Sequence, residues 1–136
     1  NYSSPLYVGD WDLYEGVNLQ YYPPGKNYSA IHTEKMNNNK DVCDFVNFLM
    51  YRHLTFITYL NDVSFGGHTK FYNYELEIRP EKGLTIIFPT QWTHIHSGMP
   101  TQDEKYIATG WFEFVRHNPL IDLKSYQKNN KNLTYE

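Results

Sequence analysis

The sequence predicts a mainly β protein, built as an antiparallel sandwich or barrel, and the jelly roll is the leading candidate. Short runs of β-branched and aromatic residues recur along the chain, and turns rich in Gly and Pro separate them. Aromatic residues make up 18% of the sequence, and the chain has 13 tyrosines, which suits strands and the walls of pockets. A jelly roll also brings residues from early and late strands to one open end.

The predicted strands follow one another along the chain and end at turn residues. Before them, Trp11, Leu13 and Tyr14 are expected to cover one edge of a sheet. A short helix is predicted over residues 41–50, because apolar side chains recur there at positions i, i+3, i+4 and i+7. The strands are predicted over residues 17–22, 28–34, 53–60, 68–72, 76–78, 84–88, 95–97 and 105–115.

The length of 136 residues fits one domain. We expect a core over residues 1–117 and a C-terminal extension over residues 118–136, because the last part is polar and rich in Asn and Lys.

Composition excludes several classes of protein. The net charge is −3 and no block of Lys or Arg is present, so a nucleic-acid partner is not indicated. Cys43 is the only cysteine, which rules out an internal disulfide and a CxxC zinc motif and fits a reducing compartment. No apolar run approaches the length of a membrane span, and no signal peptide is visible. We therefore expect a cytoplasmic protein, either of its own organism or of an infected host cell.

A His-x-carboxylate pair lies at His32 and Glu34, and His94 and His96 lie far downstream. On a strand, residues two positions apart face the same side, so His32 and Glu34 would converge while Thr33 points away. Two histidines and one carboxylate are the ligands of the facial triad that holds non-haem Fe(II) and leaves other positions open. The alternative is an ordinary half-exposed pair, because 6 histidines in a short chain produce such spacings easily.

Several motifs in order resemble the prolyl-4-hydroxylase-like branch of the Fe(II)/2-oxoglutarate dioxygenases. The resemblance extends from Leu19 to Phe114, about two-thirds of the chain, and the combination is specific although each motif alone is weak. The N-terminal helical support that is usual in this family is largely missing, which indicates a trimmed or minimal chain. The matching segments are Tyr22-Pro-Pro-Gly25, Tyr28, His32-Thr-Glu34, Arg52, Thr58-Tyr59-Leu60-Asn61, Gly66-Gly67-His68-Thr69-Lys70-Phe71, Pro80, Gly83, Phe88-Pro89, His96, Lys105-Tyr106 and Trp111.

The resemblance implies a double-stranded β-helix (jelly roll) with a few flanking helices, and Fe(II), 2-oxoglutarate, O2 and accessory ascorbate as cofactors. In the family, the distal histidine precedes the basic 2-oxoglutarate residue by about nine positions, and here 105 − 96 = 9 whereas 105 − 94 = 11. His96 is therefore the implied ligand beside His32 and Glu34. We expect His94 to share the strand face of His96 and to line the pocket or support the ligands. Glu34 departs from the Asp of most members, so the geometry of the metal site is expected to differ.

Lys105 has the family's place for binding the distal carboxylate of 2-oxoglutarate, where other branches have Arg. A Lys ammonium is one compact charge rather than a fork, so a hydroxyl partner helps it. Thr109 lies on the same strand face four residues on, and Tyr59 resembles the family's tyrosine at this pocket. Tyr22 is expected to line the pocket as well.

The implied activity is hydroxylation of a C–H bond, with release of succinate and CO2, and a prolyl residue in a peptide or protein as substrate. Two alternatives stay open. One is a metal-binding, cupin-like jelly-roll module without oxygenase activity, and Lys105 argues against it because such a module needs no buried cation. The other is a hydroxylase of a free amino acid or a nucleobase on the same core.

Overall fold

The computed structural model describes residues 11–13, 16–35 and 49–114, and these residues form two antiparallel sheets. The larger sheet has five strands in the order β1-β8-β3-β6, with β2 also pairing with β8, and the smaller sheet has the order β5-β4-β7. Two short 3-10 helices, Tyr72–Tyr74 and Trp92–His94, connect strands. The strands are β1 (Trp11–Asp12), β2 (Asn18–Tyr22), β3 (Arg52–Tyr59), β4 (Thr69–Phe71), β5 (Leu76–Ile78), β6 (Thr85–Pro89), β7 (His96–Gly98) and β8 (Lys105–Phe114).

Strand β8 organises the larger sheet. It pairs with β2 and β1 along one edge and with β3 along the other, so that Thr109 lies opposite both Asn18 and Ile57. Successive side chains of a strand point to opposite faces. Accordingly Lys105 and Ile107 are buried, while the intervening Tyr106 is exposed. The strand thus presents one row of side chains to the interior of the sandwich.

The hydrophobic core joins the two sheets. Its buried members come from β3, β4, β6 and β8, and partly buried Tyr22, Ile78, Leu84 and Ile86 pack against them. Burying one large apolar side chain contributes about 1.5–3 kcal/mol, so this cluster holds the two sheets face to face. The buried members are Ile57, Tyr59, Phe71, Phe88 and Ile107.

The mainly β, jelly-roll prediction is confirmed, and most strands lie within two residues of their predicted bounds. The predicted strand over residues 28–34 is wrong. Within it only His32 pairs, in an isolated bridge with His96, and Glu34 lies in a turn. The His32 imidazole hydrogen-bonds the Ala30 carbonyl, a local bond that competes with a strand ladder.

Other predictions are tested only in part. Trp11 and Asp12 pair with the end of β8 and so lie at the edge of the sheet, as expected for Trp11, whereas Tyr14 is outside the described residues. Of the helix predicted over residues 41–50, only Leu49 and Met50 are described, and both are helical. The proposed extension over residues 118–136 also lies outside the described residues. Within the described part of the chain, no helix is long and apolar enough to cross a membrane.

Candidate active site

Three side chains from distant parts of the sequence converge at one end of the sandwich. The candidate ligand atoms of His32, Glu34 and His96 all lie within 4.8 Å of one another. Glu34 Oε1 is 3.6 Å from His32 Nε2 and 3.2 Å from His96 Nε2. Although no strand runs through residues 28–34, the backbone bridge between His32 and His96 brings the two imidazoles together.

Both imidazoles have a fixed orientation. His32 Nδ1 hydrogen-bonds the Ala30 carbonyl at 2.8 Å, and His96 Nδ1 hydrogen-bonds the His94 carbonyl at 2.9 Å. A carbonyl only accepts, so each Nδ1 carries the proton, and in the neutral ring Nε2 then has a free lone pair. This arrangement is the one that metal-binding histidines commonly adopt.

The Glu34 carboxylate is held in its ionised form. Burial by itself would raise its pKa, but the imidazoles of His32 and His96 in their protonated form, together with the hydrogen bond from Trp111, outweigh burial and hold the pKa well below its ordinary value. Burial alone would lower the pKa of the His32 imidazole, but its ion pair with Glu34 and its hydrogen bond to Ala30 outweigh burial and raise the pKa. Two imidazole nitrogens and a charged carboxylate oxygen are a donor set that suits Fe(II).

The three residues line a cavity of about 290 Å³ that extends to Lys105. Lys105 is buried, and its Nζ donates a hydrogen bond to the Gly67 carbonyl at 2.6 Å. Burial lowers the pKa of Lys105 to about 8. Since an ammonium group has three N–H bonds, one bond to Gly67 leaves donors for an anion in the cavity.

The other predicted pocket residues surround Lys105. Its Nζ lies 5.8 Å from the Tyr22 ring centroid and 5.6 Å from that of Tyr59. Tyr22 and Thr109 line the cavity, and Thr109 donates its hydroxyl to the Phe56 carbonyl at 2.8 Å.

Tyr59 forms part of the support beneath this pocket. Its hydroxyl is 2.7 Å from Thr69 Oγ1, and Thr69 lines the cavity. Burial raises the pKa of Tyr59 to about 12, although the bond to Thr69 acts in the opposite direction, so the phenol stays protonated.

The expectation that His94 shares the strand face of His96 is wrong. His94 ends the 3-10 helix Trp92–His94, and β7 begins only at His96. Its imidazole lines a separate apolar groove beside Phe71, Tyr74 and Phe88. The backbone carbonyl of His94, rather than its side chain, supports the site through its bond to His96.

Sequence reasoning missed two residues that contact the triad. Trp111 Nε1 donates to Glu34 Oε2 at 2.8 Å, and Arg52 Nη1 lies 3.9 Å from the same oxygen. Both residues belong to the motifs that carry the family resemblance, but spacing alone gave them no role. The alternation along β8 offered a signal for Trp111, because it has the same parity as Lys105 and Thr109.

The jelly roll thus brings two histidines and one carboxylate, which could hold a metal ion, to the same cavity as a buried lysine. A family model described as the 2OG-Fe(II) oxygenase superfamily matches residues 16–113. The chain belongs to this family, whose members use Fe(II) and 2-oxoglutarate.

Similar proteins include viral and bacterial prolyl hydroxylases. The chain is 31% identical over 111 residues to a protein of Acanthamoeba polyphaga mimivirus named "Putative prolyl 4-hydroxylase", covering 75% of this chain and 46% of that protein. It also resembles the crystal structure of a viral collagen prolyl hydroxylase from Paramecium bursaria Chlorella virus-1 in complex with 2-oxoglutarate. That match has a TM-score of 0.63 and 27% identity, and covers 79% of this chain and 62% of the other.

A Pseudomonas putida prolyl-4-hydroxylase shares the fold, with a TM-score of 0.54 and 21% identity over 73% of this chain and 52% of that one. The chain thus spans about half to two-thirds of the length of these similar proteins.

Proposed function

We propose that this chain is an Fe(II)- and 2-oxoglutarate-dependent dioxygenase that hydroxylates a C–H bond of a prolyl residue in a peptide or protein. The observation that carries the proposal is a buried cation, Lys105, on the wall of the cavity that His32, Glu34 and His96 also line. A buried ammonium is unfavourable unless it is paired, so its presence opposite a metal site indicates an anionic ligand between the two. 2-Oxoglutarate has a carboxylate at each end and fits that requirement.

His32, Glu34 and His96 would hold the iron. Their donor atoms are already together, and the Nδ1 bonds of both histidines keep the Nε2 atoms turned toward Glu34. When bound, the iron supplies the oxygen chemistry that converts 2-oxoglutarate to succinate and CO2 and hydroxylates the substrate. The protein's own contribution is to bind and orient the reactants and to exclude water.

Lys105 would bind the distal carboxylate of 2-oxoglutarate. Its Nζ is fixed by the Gly67 carbonyl and flanked by the rings of Tyr22 and Tyr59. Thr109 lies on the same face of β8 and lines the same cavity. Because its hydroxyl donates to Phe56, the oxygen keeps lone pairs but has no second proton, so Thr109 would shape the pocket rather than donate to the carboxylate.

The peptide substrate is supported by the open mouth of the cavity and by the names of the similar proteins. Tyr28 is 52% exposed, lines the cavity and lies edge-on against the His32 ring at 4.7 Å, so a substrate residue can contact it beside the metal site. Two of the similar proteins are named as prolyl hydroxylases of viral origin. Ascorbate would serve as an accessory reductant.

The test is a turnover assay over three substrate classes. Purified protein with Fe(II), ascorbate and 2-oxoglutarate is supplied with proline-containing peptides, free amino acids or nucleosides, and both succinate and a product heavier by one oxygen atom are measured. We expect proline-containing peptides to stimulate turnover above the uncoupled rate. Stimulation only by amino acids or nucleosides would change the substrate class, and no turnover with any substrate would favour a metal-binding module.

Three histidine variants test the choice of ligands, with His94→Ala as the matched control. His96→Ala should abolish binding of Mn(II) or Co(II), and His32→Ala should do the same, because each removes a donor atom. His94→Ala should keep most of the metal, because its imidazole lines a separate groove and the backbone carbonyl that bonds His96 is kept. Loss of metal in His94→Ala with retention in His96→Ala would overturn this choice of ligand.

We also propose that residues 1–117 form the oxygenase core and that residues 118–136 are an extension. The family match over residues 16–113 supports this division. A chain truncated after residue 117 should keep the metal affinity of the full chain, and a tenfold weaker affinity would contradict the division.

A further inference from the structure

Trp111 contacts the candidate carboxylate ligand on the side away from the histidines. Its indole N–H donates to Glu34 Oε2 at 2.8 Å, while Oε1 faces His32 and His96. We propose that Trp111 is a positioning residue that keeps Glu34 a one-oxygen ligand, with Oε1 presented to the metal and Oε2 held away from it. This inference rests on the proposed metal site and concerns the orientation of its carboxylate.

Glutamate needs such a restraint more than aspartate does. Its side chain is one methylene group longer, so the carboxylate has an additional rotatable bond and can turn both oxygens toward one metal ion. Carboxylates bind metals through one oxygen or through two. Binding through two would occupy a position that the facial arrangement leaves open for co-substrate and oxygen. A hydrogen bond to Oε2 removes that freedom while leaving Oε1 available.

Arg52 fixes the indole in turn. Its guanidinium carbon lies 3.5 Å from the centroid of the Trp111 ring, which is a stacked cation–π arrangement. Its Nη1 also donates to the Glu34 backbone carbonyl at 3.3 Å and lies 3.9 Å from Oε2. Arg52 is buried in β3, and Trp111 lies in the neighbouring β8, opposite Thr55. Two paired strands of the larger sheet therefore hold both ends of the contact.

The test measures Co(II) binding and the visible spectrum of the Co(II)-loaded protein, without any turnover. Trp111→Phe keeps a ring for Arg52 to stack on but removes the N–H donor. We expect it to weaken Co(II) binding by about 10- to 100-fold, as loss of a group that orients a metal ligand usually does. We also expect the Co(II) bands to change, because a two-oxygen carboxylate alters the coordination of the ion. Trp92→Phe is the matched control, since Trp92 is 71% exposed, and it should leave affinity and spectrum unchanged.

The same substitution made in the Glu34→Asp protein separates a positioning role of Trp111 from a merely structural one. In Glu34→Asp the side chain is one methylene group shorter, so we expect its carboxylate to lose the contact with the indole when it binds the metal. Adding Trp111→Phe there should then change Co(II) affinity by no more than about twofold. An equal loss in both backgrounds, or an unchanged affinity and spectrum in Trp111→Phe, would overturn the proposal. If Glu34→Asp binds no Co(II), the spectrum of Trp111→Phe decides alone.

Arg52→Lys carries the same test if Trp111→Phe does not fold. Arg52→Lys keeps the positive charge but loses the planar stack on the indole. In the protein with Glu34 we expect a smaller loss of Co(II) affinity than in Trp111→Phe. In the Glu34→Asp protein we expect no loss. A wild-type protein that binds no Co(II) would overturn the proposed metal site itself, and the positioning role with it. Loss confined to the Trp111 variant leaves the proposed function intact and supports the role described here.

Discussion

The buried charge of Lys105 lowers the stability of the ligand-free protein, although the proposed function requires it. Lys105 is buried, and burial lowers its pKa from 10.5 to about 8. A change of this size corresponds to roughly 3 kcal/mol that the folded protein loses at neutral pH by keeping the charge. Residues that weaken the fold in this way are typical of binding sites, where a ligand later supplies the missing partner.

Lys105→Met should therefore stabilise the ligand-free protein while it removes the anion site. We expect the Tm at pH 7 to rise by several degrees, because the apolar stem is kept and the buried charge is lost. The pKa is depressed in the folded state, so wild-type stability rises with pH between about 8 and 10.5, and the advantage of the variant should shrink over that range. Lys70→Met, at an exposed ion pair with Glu77, should change the Tm little. A Tm that falls in Lys105→Met would contradict this account.

The pH dependence of 2-oxoglutarate binding follows from the same group. Lys105 must be protonated to attract a carboxylate, so affinity for 2-oxoglutarate should fall as the pH rises through about 8. One ionisation weakens binding by about tenfold per pH unit above the pKa, and calorimetry on Mn(II)-loaded protein at pH 7 and pH 9 measures this. Lys105→Arg keeps its charge at both pH values and should lose the dependence. Equal pH profiles for the two proteins would remove Lys105 from the anion site.

At the scale of elements, the turn at Gly66 and Gly67 places the carbonyl that Lys105 contacts. Both glycines have positive φ, 77° and 68°, a region that other residues rarely adopt. The Pro100 carbonyl accepts the Gly67 N–H, and a Cβ added at Gly66 would meet that same oxygen at 2.3 Å. The turn between β3 and β4 therefore requires glycine for conformation and for space.

Comparison of two glycine variants isolates the two requirements. Gly25 has φ of 78°, and a Cβ added there would meet no atom within 4 Å, so Gly25→Ala should cost about 1–2 kcal/mol from conformation alone. Gly66→Ala adds a backbone overlap and should cost clearly more, and it should also weaken 2-oxoglutarate binding by displacing the Gly67 carbonyl. Urea unfolding measures the loss of free energy of unfolding in each variant, and the two losses can be compared when the m-values are equal. Equal losses of stability in Gly25→Ala and Gly66→Ala would contradict this account, because they would show that the overlap with the Pro100 carbonyl does not destabilise the fold.

Most strands and the pairing of His32 with Glu34 could be predicted from short-range patterns, whereas the choice of His96 depended on the spacing in the family resemblance. Alternation, β-branched runs and Gly or Pro stops located β3 to β8, and the His-x-Glu pair identified two of the candidate ligands. The roles of Arg52 and Trp111 were not predictable, since they depend on the register between β3 and β8. His94 was misplaced because a 3-10 turn replaces the strand at that position. Hydrogen bonds from a side chain to the backbone, such as that of His32 to the Ala30 carbonyl, also cannot be predicted from the periodicity of the sequence.

At the scale of the whole molecule, the candidate site is assembled only when the two sheets fold together. Tyr22 lies in β2, His32 and Glu34 follow an irregular segment, His96 lies in β7 and Lys105 begins β8. The bridge between His32 and His96 joins segments that are 64 positions apart, since 96 − 32 = 64. Metal binding and folding should therefore be coupled, as they are wherever a site is assembled from distant segments.

The most direct measurement is a calorimetric titration of 2-oxoglutarate into the protein with and without Mn(II). If the triad and Lys105 form one site, wild-type protein and His94→Ala should bind 2-oxoglutarate with Mn(II) present and weakly or not at all without it. His96→Ala should bind neither, and Lys105→Met should keep Mn(II) but bind 2-oxoglutarate two to three decades more weakly, from the loss of about 3–5 kcal/mol for a buried pair. A Mn(II)-loaded wild type that does not bind 2-oxoglutarate would contradict the oxygenase assignment and favour a metal-binding jelly-roll module.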